Sequence, residues 1–336
     1  MRWYNTEGLY NDIVLSTRIR FARNLIGYPF PSRLDNKKTS EIIDKIAPIL
    51  EKSGFIRIDF DKLTRAEAFS YVEKRYVSRE FAEKDGPRTL MLNETCGYAV
   101  MICEEDHLRL QCIMSGLALD KAFDSICRLD DIIDESFPIA FDEELGYLTH
   151  CPTNLGTGMR ASVMMFLPAL TMSGRMNGIT SELSKIGLTV RGIYGEGTAS
   201  EGSIYQISNQ ITLGMSEETI IRNLSETVKK LIDSEKELRQ HITPEENPKL
   251  IDRISRAEGT LRYAFMLSSN EFISLFSDVR LGIDVGVIRD IDYKTLDELF
   301  IEVMPACLSL SADPPKSDKE RDILRAKRIK EELRAK

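Results

Sequence analysis

The chain has 336 residues, of which 42% are hydrophobic, so it can bury one large core or one core and a smaller domain. Its 45 basic and 53 acidic residues give a net charge of −8, which argues against a general nucleic-acid binder. The six cysteines form no C-x-x-C pair, and no run is long and apolar enough to span a membrane. We therefore predict a soluble, cytoplasmic protein with reduced thiols, no direct contact with nucleic acid or membrane, and neither a disulfide framework nor a zinc site.

The first half of the chain alternates between predicted helices and strands. Apolar residues at helical spacing predict helices over residues 40–53, 64–84 and 117–135. Alternating apolar and charged residues predict a strand over residues 55–60. Three apolar runs separated by turn residues predict a strand meander over residues 89–92, 98–103 and 108–113.

The second half ends in a helical region. A loop at residues 149–160 is predicted to lead into an apolar helix over 161–170, and a long amphipathic helix follows over 216–240. Two prolines in a charged segment mark the best domain boundary, at residues 243–248. The last helix, over 317–336, begins with a capping box of Ser317 and Glu320. We predict an α+β domain at 1–242, with an antiparallel sheet flanked by helices, and a small all-α domain at 249–336.

Two arginines stand out in the segment Ser16-Thr17-Arg18-Ile19-Arg20-Phe21-Ala22-Arg23. Arg18 and Arg20 are two residues apart, so in an extended segment they project from the same side. Guanidinium groups that converge on one spot repel each other unless an anion lies between them, and phosphate is the usual anion. The alternative is a solvated basic strand.

An acidic triplet, Glu104-Glu105-Asp106, lies between two apolar strands and is followed by His107 and Arg109. A turn between buried strands is a place where a positioned carboxylate is useful. The alternative is an acidic loop that faces solvent.

Two glycine-rich segments complete the set of motifs. The segment Cys151-Pro152-Thr153-Asn154-Leu155-Gly156-Thr157-Gly158-Met159-Arg160 predicts a tight loop at a helix start, which would present backbone N–H groups to an anion. It lacks the ending of a Walker A loop. The segment Arg191-Gly192-Ile193-Tyr194-Gly195-Glu196 predicts a flap over the substrate, with an ordinary glycine-rich hairpin as the alternative.

Taken in this order, the four segments resemble the phosphagen (guanidino) kinases. With its helical C-terminal region, the whole chain is most similar to the McsB-type protein-arginine kinases. The resemblance implies a glutamine-synthetase-like catalytic domain that uses ATP and Mg²⁺, with no metal ligands from the protein because the nucleotide holds the Mg²⁺. It implies catalytic roles for Glu105, Glu196 and Cys151. It implies nucleotide contacts by Ser16, Thr17, Arg18, Ile19, Arg20, Arg109, Arg160, Ala161, Ser162, Val163, Met164, Arg191, Gly192, Ile193, Tyr194, Gly195 and Glu196.

The chemistry of a guanidinium agrees with these roles. The group is protonated at ordinary pH and has no lone pair, so a kinase must orient it and remove a proton. Paired carboxylates can orient it, and we choose Glu105 as the base. Cys151 would add negative charge as a thiolate, or is a buried inert thiol. Two departures from the family pattern are Cys103, where Asn is common, and Arg75, where a histidine contacting the nucleotide is common.

The tail carries a further motif, Arg321-Asp322-Ile323-Leu324-Arg325-Ala326. On a helix Arg321, Asp322 and Arg325 share one face. In the McsB-type family this pattern forms an allosteric phosphoarginine-binding pocket, which here would consist of Arg321, Asp322, Arg325 and Ala326. The alternative is a solvated charged helix.

The resemblance implies a kinase that phosphorylates exposed arginines of client proteins and so marks them for a Clp-type protease. It also implies homodimerisation and partners of the McsA (activator), CtsR (repressor) and ClpC (unfoldase) types. The helical domain that small-molecule guanidino kinases carry before the first arginine motif is not expected here. A guanidino kinase for a small metabolite and a non-catalytic phosphoarginine-binding adaptor stay open as alternatives.

Overall fold

The computed structural model describes residues 2–192 and 201–334. In those residues the strands are β1 (Val14–Arg23), β2 (Ile56–Asp59), β3 (Thr89–Asn93), β4 (Tyr98–Ile102), β5 (Leu108–Ser115), β6 (Phe141–Asp142), β7 (Gly146–Tyr147), β8 (Met159–Phe166), β9 (Leu188–Gly192) and β10 (Ile204–Asn209). The α-helices are α1 (Asn36–Lys52), α2 (Arg65–Glu73), α3 (Arg79–Glu83), α4 (Leu119–Ser136), α5 (Pro168–Met172), α6 (Met176–Lys185), α7 (Glu217–Arg239), α8 (Pro248–Tyr263), α9 (Ser269–Asp284), α10 (Tyr293–Glu302), α11 (Pro305–Leu308) and α12 (Asp318–Arg334).

Eight of the strands described above form one antiparallel sheet in the order β2-β3-β4-β5-β1-β8-β10-β9. The central strand β1 pairs with β5 and β8, so that Ile19 lies opposite Cys112 on one side and Ala161 on the other. Side chains alternate between the two faces of a strand. Ile19 and Phe21 therefore face one way, and Arg18 and Arg20 face the other.

The first face of the sheet packs against α1, α4 and α7. This hydrophobic cluster joins Ile19 and Phe21 of β1 to Ile46, Ile126 and Leu224 of the three helices, all of them buried. Burying aliphatic and aromatic side chains of this size stabilises the fold by roughly 1.5–3 kcal/mol each. The cluster fixes the sheet and hence the positions of side chains on its other face.

The second face is covered at one end by the C-terminal helices. Met164 and Phe166 of β8 share a buried cluster with Phe272, Phe276 and Phe300 of α9 and α10. An ion pair of 3.2 Å between Arg239 Nη1 at the end of α7 and Asp284 at the end of α9 adds a polar link. The arginines of β1 lie further along the same face, beyond the area that these helices cover.

Most predicted elements are confirmed. The α+β class, the meander β3-β4-β5, the helix at 117–135 (α4) and the helix at 216–240 (α7) agree with the structure. Among the described residues, no helix combines the length and the apolar character needed to cross a bilayer.

Two predicted helices are wrong. Residues 161–166 belong to strand β8, because an apolar run that is covered on both faces of a sheet has no periodicity that separates it from a buried helix. The idea of an anion bound at a helix start after the loop is therefore wrong as well. The predicted helix over 64–84 is two helices, because Arg75 adopts a left-handed backbone conformation with φ of 63°.

Candidate active site

Four of the arginines predicted to contact the nucleotide lie together on the second face of the sheet. Arg20 of β1 lies directly opposite Arg160 of β8, and Arg109 of β5 lies opposite Ala22. Arg18 precedes Arg20 by one repeat of the strand and donates to Gln206 Oε1 at 3.1 Å. The same glutamine pairs in the sheet with Arg191 of β9, which is the fifth arginine predicted to contact the nucleotide.

The arginine cluster carries unbalanced positive charge. Burial and the neighbouring guanidinium groups of Arg75, Arg109 and Arg160 lower the pKa of Arg18 to about 9. Burial and the same kind of repulsion, from Arg18, Arg109 and Arg160, hold the pKa of Arg20 well below its usual value. The buried Nε of Arg20 has no hydrogen-bond partner. A polyphosphate would satisfy these donors and neutralise their charge.

The acidic triplet splits into different roles. Glu104 is buried, pairs with Arg109 and accepts from Ser78 Oγ. Burial would raise the pKa of Glu104, but Arg109 and the hydrogen bonds outweigh it and lower the pKa. Glu105 is exposed to the cleft, and partial burial together with the charges of Asp106 and Glu104 raises its pKa. Of these two carboxylates, Glu105 is therefore the better proton acceptor.

Asp106, to which the sequence motifs assign no role in the site, ties the acidic turn to the cysteine loop. Its Oδ1 accepts from Asn24 Nδ2 at 2.6 Å and from the backbone N–H of His150 at 2.7 Å. Asn24 in turn accepts from the backbone N–H of His107 at 2.9 Å. The sequence does contain a signal for this role of Asp106. The residue completes an acidic triplet, and a buried third carboxylate needs hydrogen-bond partners of its own.

Replacing Asp106 with Ala should lower the turnover number about 10- to 100-fold and leave the affinity for ADP within twofold, since 1 Å of misplacement at a reacting group can cost that much. The His150 N–H would lose its acceptor, and the loop that carries Cys151 would shift relative to Glu105. Steady-state kinetics and calorimetric ADP titration measure the two quantities. A variant with wild-type turnover would show that Asp106 does not position the loop.

These side chains surround a cavity of about 220 Å³. It is lined by Arg20, Phe21, Ala22, Glu104, Glu105, Asp106, Arg109, Cys151, Thr153, Asn154, Gly158 and Arg160. The structure thus brings Glu105 and Cys151 to the same cavity as three of the predicted arginines. The Sγ of Cys151 lies 3.0 Å from Thr153 Oγ1.

Gly158 allows the cysteine loop to approach β1 closely. Its φ is +63°, and an added Cβ would come within 2.7 Å of the carbonyl oxygen of Ala22 and of Arg23 Nη1. Arg23 is buried, pairs with Asp130 at 2.6 Å and donates to the carbonyl oxygen of Thr157. The loop is therefore held by a network that leaves no room for a side chain at residue 158.

Gly158→Ala is expected to lower activity by about tenfold or more and to destabilise the protein by about 1–3 kcal/mol, because it combines a strained φ with overpacking. Thermal unfolding and initial rates provide the measurements. Gly174→Ala is the matched control: its φ is also positive, at +71°, but an added Cβ there meets nothing within 4 Å. Equal loss of activity in both variants would contradict the role assigned to residue 158.

Other predicted nucleotide contacts are not brought to this cavity. The side chains of Ile19, Ala161 and Val163 lie in the cluster on the opposite face of the sheet. Thr17 accepts from the backbone N–H of Ala118 on that face. Ser16, Ser162 and Met164 line a neighbouring small cavity with Arg18. Gly192 ends β9, and Ile193, Tyr194, Gly195 and the predicted catalytic Glu196 lie outside the described residues.

Comparison with known proteins places this geometry in a family. Residues 37–238 match the family model described as ATP:guanido phosphotransferase, C-terminal catalytic domain, and residues 247–336 match the model for the protein-arginine kinase McsB C-terminal domain. A protein-arginine kinase from Clostridium acetobutylicum is 44% identical over 337 residues, which cover 99% of each chain. A protein-arginine kinase from Halothermothrix orenii is 41% identical over 98% of this chain and 96% of its own. This chain belongs to the protein-arginine kinase family.

The fold of this member of the protein-arginine kinase family is similar to that of a phosphagen kinase, lombricine kinase, whose crystal structure is known. The two chains superpose with a TM-score of 0.61 at 28% identity, and the match covers 70% of each. A substrate-free duplicated taurocyamine kinase from Schistosoma mansoni shares the fold, with a TM-score of 0.60 at 21% identity over 86% of this chain and 50% of that chain.

The tail motif of this protein-arginine kinase family member lies on α12. Arg325 is fully buried and donates to the carbonyl oxygens of Val303 and Leu267, to Ser269 Oγ and to Asp322. Ala326 is buried beside it. Arg321 is half-buried and pairs with Asp318 at 2.7 Å. Asp322 therefore contacts an arginine that is already anchored to the protein, and Arg321 pairs one turn earlier on the same helix.

Proposed function

We propose that this chain transfers the γ-phosphoryl group of ATP to the guanidinium group of arginine side chains in proteins. One observation carries the proposal: Glu105 and Cys151 line the same cavity as the facing guanidinium groups of Arg20, Arg109 and Arg160. The basic side fits a polyphosphate, and the acidic side fits a guanidinium. The identity of about 40% to protein-arginine kinases along nearly the whole chain supports a protein as the substrate.

The reaction needs few groups from the protein. Glu105 would hold the guanidinium and take one of its protons, so that the freed nitrogen lone pair forms a bond to the γ-phosphorus. The bond from that phosphorus to the oxygen bridging to the β-phosphate breaks, and ADP leaves with the electron pair. Arg20, Arg109 and Arg160 stabilise the charge on the transferring group, and Mg²⁺ bound to the nucleotide would supply further charge neutralisation.

We extend the proposal to the predicted second unit and to the cell. Residues 1–242 would carry out the transfer, while residues 249–336 would bind phosphoarginine through Arg321, Asp322 and Arg325 and support a homodimer. In the cytoplasm, phosphorylated clients would pass to a Clp-type protease with partners of the McsA, CtsR and ClpC types. The McsB C-terminal family model over residues 247–336 supports the phosphoarginine site.

The test of the proposed function compares substrates. Purified protein is incubated with Mg-ATP and either an arginine-rich protein, free arginine or creatine, and acid-labile phosphate is measured on each. Transfer to the protein alone is the expected result. Transfer to a free guanidino compound would support a metabolite kinase instead, and no transfer at all would support a phosphoarginine-binding adaptor.

A further inference from the structure

The short segment between α2 and α3 reaches the arginine face of the sheet from outside it. Arg75 lies at this break, and its left-handed backbone conformation turns the chain away from the helix axis. Arg75 lines the small cavity that also contains Arg18, Ser162 and Gln206. Its charge is one cause of the lowered pKa of Arg18, after burial. Arg75 thus lies next to the predicted nucleotide site.

Arg75 lies where a nucleoside would lie if the phosphates of a nucleotide occupied the arginine cluster. Arg18 lies two residues from Arg20 on β1, a separation of about 7 Å along a strand. Consider a ligand whose phosphates lie between Arg20 and Arg160. If it extends about 7 Å along β1 towards Arg18, it reaches the cavity that Arg75 lines. In ATP the group at that distance from the terminal phosphates is the nucleoside, on which a planar guanidinium can stack.

Three separate elements hold this break in place. Glu73, at the end of α2, accepts from the backbone N–H groups of Ala306 at 2.8 Å and Cys307 at 2.7 Å, both in α11. The carbonyl oxygen of Lys74 accepts from Trp3 Nε1 at 3.0 Å. The carbonyl oxygen of Arg75 accepts from Gln111 Nε2 at 2.8 Å. A left-handed residue costs about 1–3 kcal/mol, so it persists only where such contacts impose it.

We propose that Glu73 is a positioning residue for nucleotide binding: by clamping the end of α2 to α11, it holds Arg75 against the nucleoside end of the cleft. The inference rests on the proposed function for the identity of the nucleotide. On this proposal the affinity for ATP depends on Glu73, a carboxylate outside the cleft, and on α11, a helix from the C-terminal segment. Glu73 touches neither substrate, and it acts only through Arg75.

A double-mutant cycle on the full chain tests this role. Affinity for Mg-ADP and for inorganic tripolyphosphate is measured by titration calorimetry for the wild type, Glu73→Gln, Arg75→Ala and the double variant. We expect each single change to weaken ADP binding about tenfold and the double variant to match Arg75→Ala alone, because residues acting through one contact are not additive. Tripolyphosphate affinity should change less than twofold in Glu73→Gln, since that probe lacks a nucleoside and Arg75 keeps its charge.

Glu235→Gln is the matched control, because Glu235 also accepts from two backbone N–H groups at a helix start, those of Ala169 and Leu170. It should lower thermal stability without weakening ADP binding. If Glu73→Gln does not fold, Trp3→Phe carries the test. It removes the bond to Lys74 at the same break and keeps an aromatic ring in the core, and a twofold to threefold weakening of ADP binding is expected.

Unchanged ADP affinity in Glu73→Gln, or additive losses in the double variant, would overturn the inference. Equal weakening of ADP and tripolyphosphate would assign Glu73 a general structural role instead. Wild-type protein that binds ADP but transfers no phosphate would refute the proposed function and leave the positioning role standing.

Discussion

Glu105→Gln is expected to lower the turnover number for arginine phosphorylation by about 10²–10⁴-fold, the contribution usual for a positioned general base. The amide keeps the shape of the carboxylate and one hydrogen-bond acceptor, but it cannot take a proton from the guanidinium. ADP affinity should stay within twofold, because the nucleotide cage is formed by arginines on the strands. Single-turnover rates and calorimetric ADP titration separate these two effects.

The pH dependence follows from the environment of Glu105. Burial and the charges of Asp106 and Glu104 raise its pKa. A base works only when deprotonated, so the turnover number should fall as the pH drops through this raised pKa, at a higher pH than for an ordinary glutamate. Glu143→Gln, an exposed change in the β6–β7 turn, should leave both the rate and the pH profile unaltered. A Glu105→Gln variant that keeps a tenth of the wild-type rate would assign the base elsewhere.

Arg20→Met is expected to lower kcat/KM by about 10²-fold or more, as does the loss of one well-placed donor in an oxyanion site. The same change should raise the thermal stability of the protein in the absence of nucleotide. The pKa of Arg20 is lower in the folded chain than in the unfolded one, so at neutral pH the charged group opposes folding. Methionine retains the apolar stem and removes the repulsion by Arg18, Arg109 and Arg160.

Calorimetric unfolding measures the stability of the nucleotide-free protein and, with tripolyphosphate added, the stabilisation by a bound anion. The anion should raise the unfolding temperature of the wild type more than that of Arg20→Met, since it neutralises a charge that the variant lacks. Arg57→Met is the control, because Arg57 on β2 has a carboxylate partner, Asp59, at 2.8 Å. Its replacement should not stabilise the protein. A less stable nucleotide-free Arg20→Met variant would contradict the electrostatic account.

Local patterns predicted those elements whose neighbours in space are also neighbours in sequence. The meander β3-β4-β5 follows from apolar runs with turn residues between them, and α7 follows from its apolar stripe. Strand β8 did not, because both its faces are buried and an apolar run then carries no period. The break at Arg75 depends on Trp3, Gln111 and α11, which are distant in sequence.

The site shows the same division. The resemblance of four motifs to the phosphagen kinases predicts that Arg18, Arg20, Arg109 and Arg160 act together, and the sheet register gives the physical reason. The tether through Asn24, Asp106 and the His150 N–H joins three segments that no local pattern relates. The acidic triplet indicates that Asp106 needs partners, but only the folded arrangement shows which groups it positions.

The cluster on the second face has a consequence for synthesis on the ribosome. Trp3 and Leu333, near opposite ends of the described chain, belong to it together with Phe166 of β8. A nascent chain emerges from its amino end, so this cluster cannot close until α12 has been translated. Until α9 and α10 have been translated, one end of the sheet presents Met164 and Phe166 to water, and a chaperone that shields apolar strands should raise the yield of folded protein.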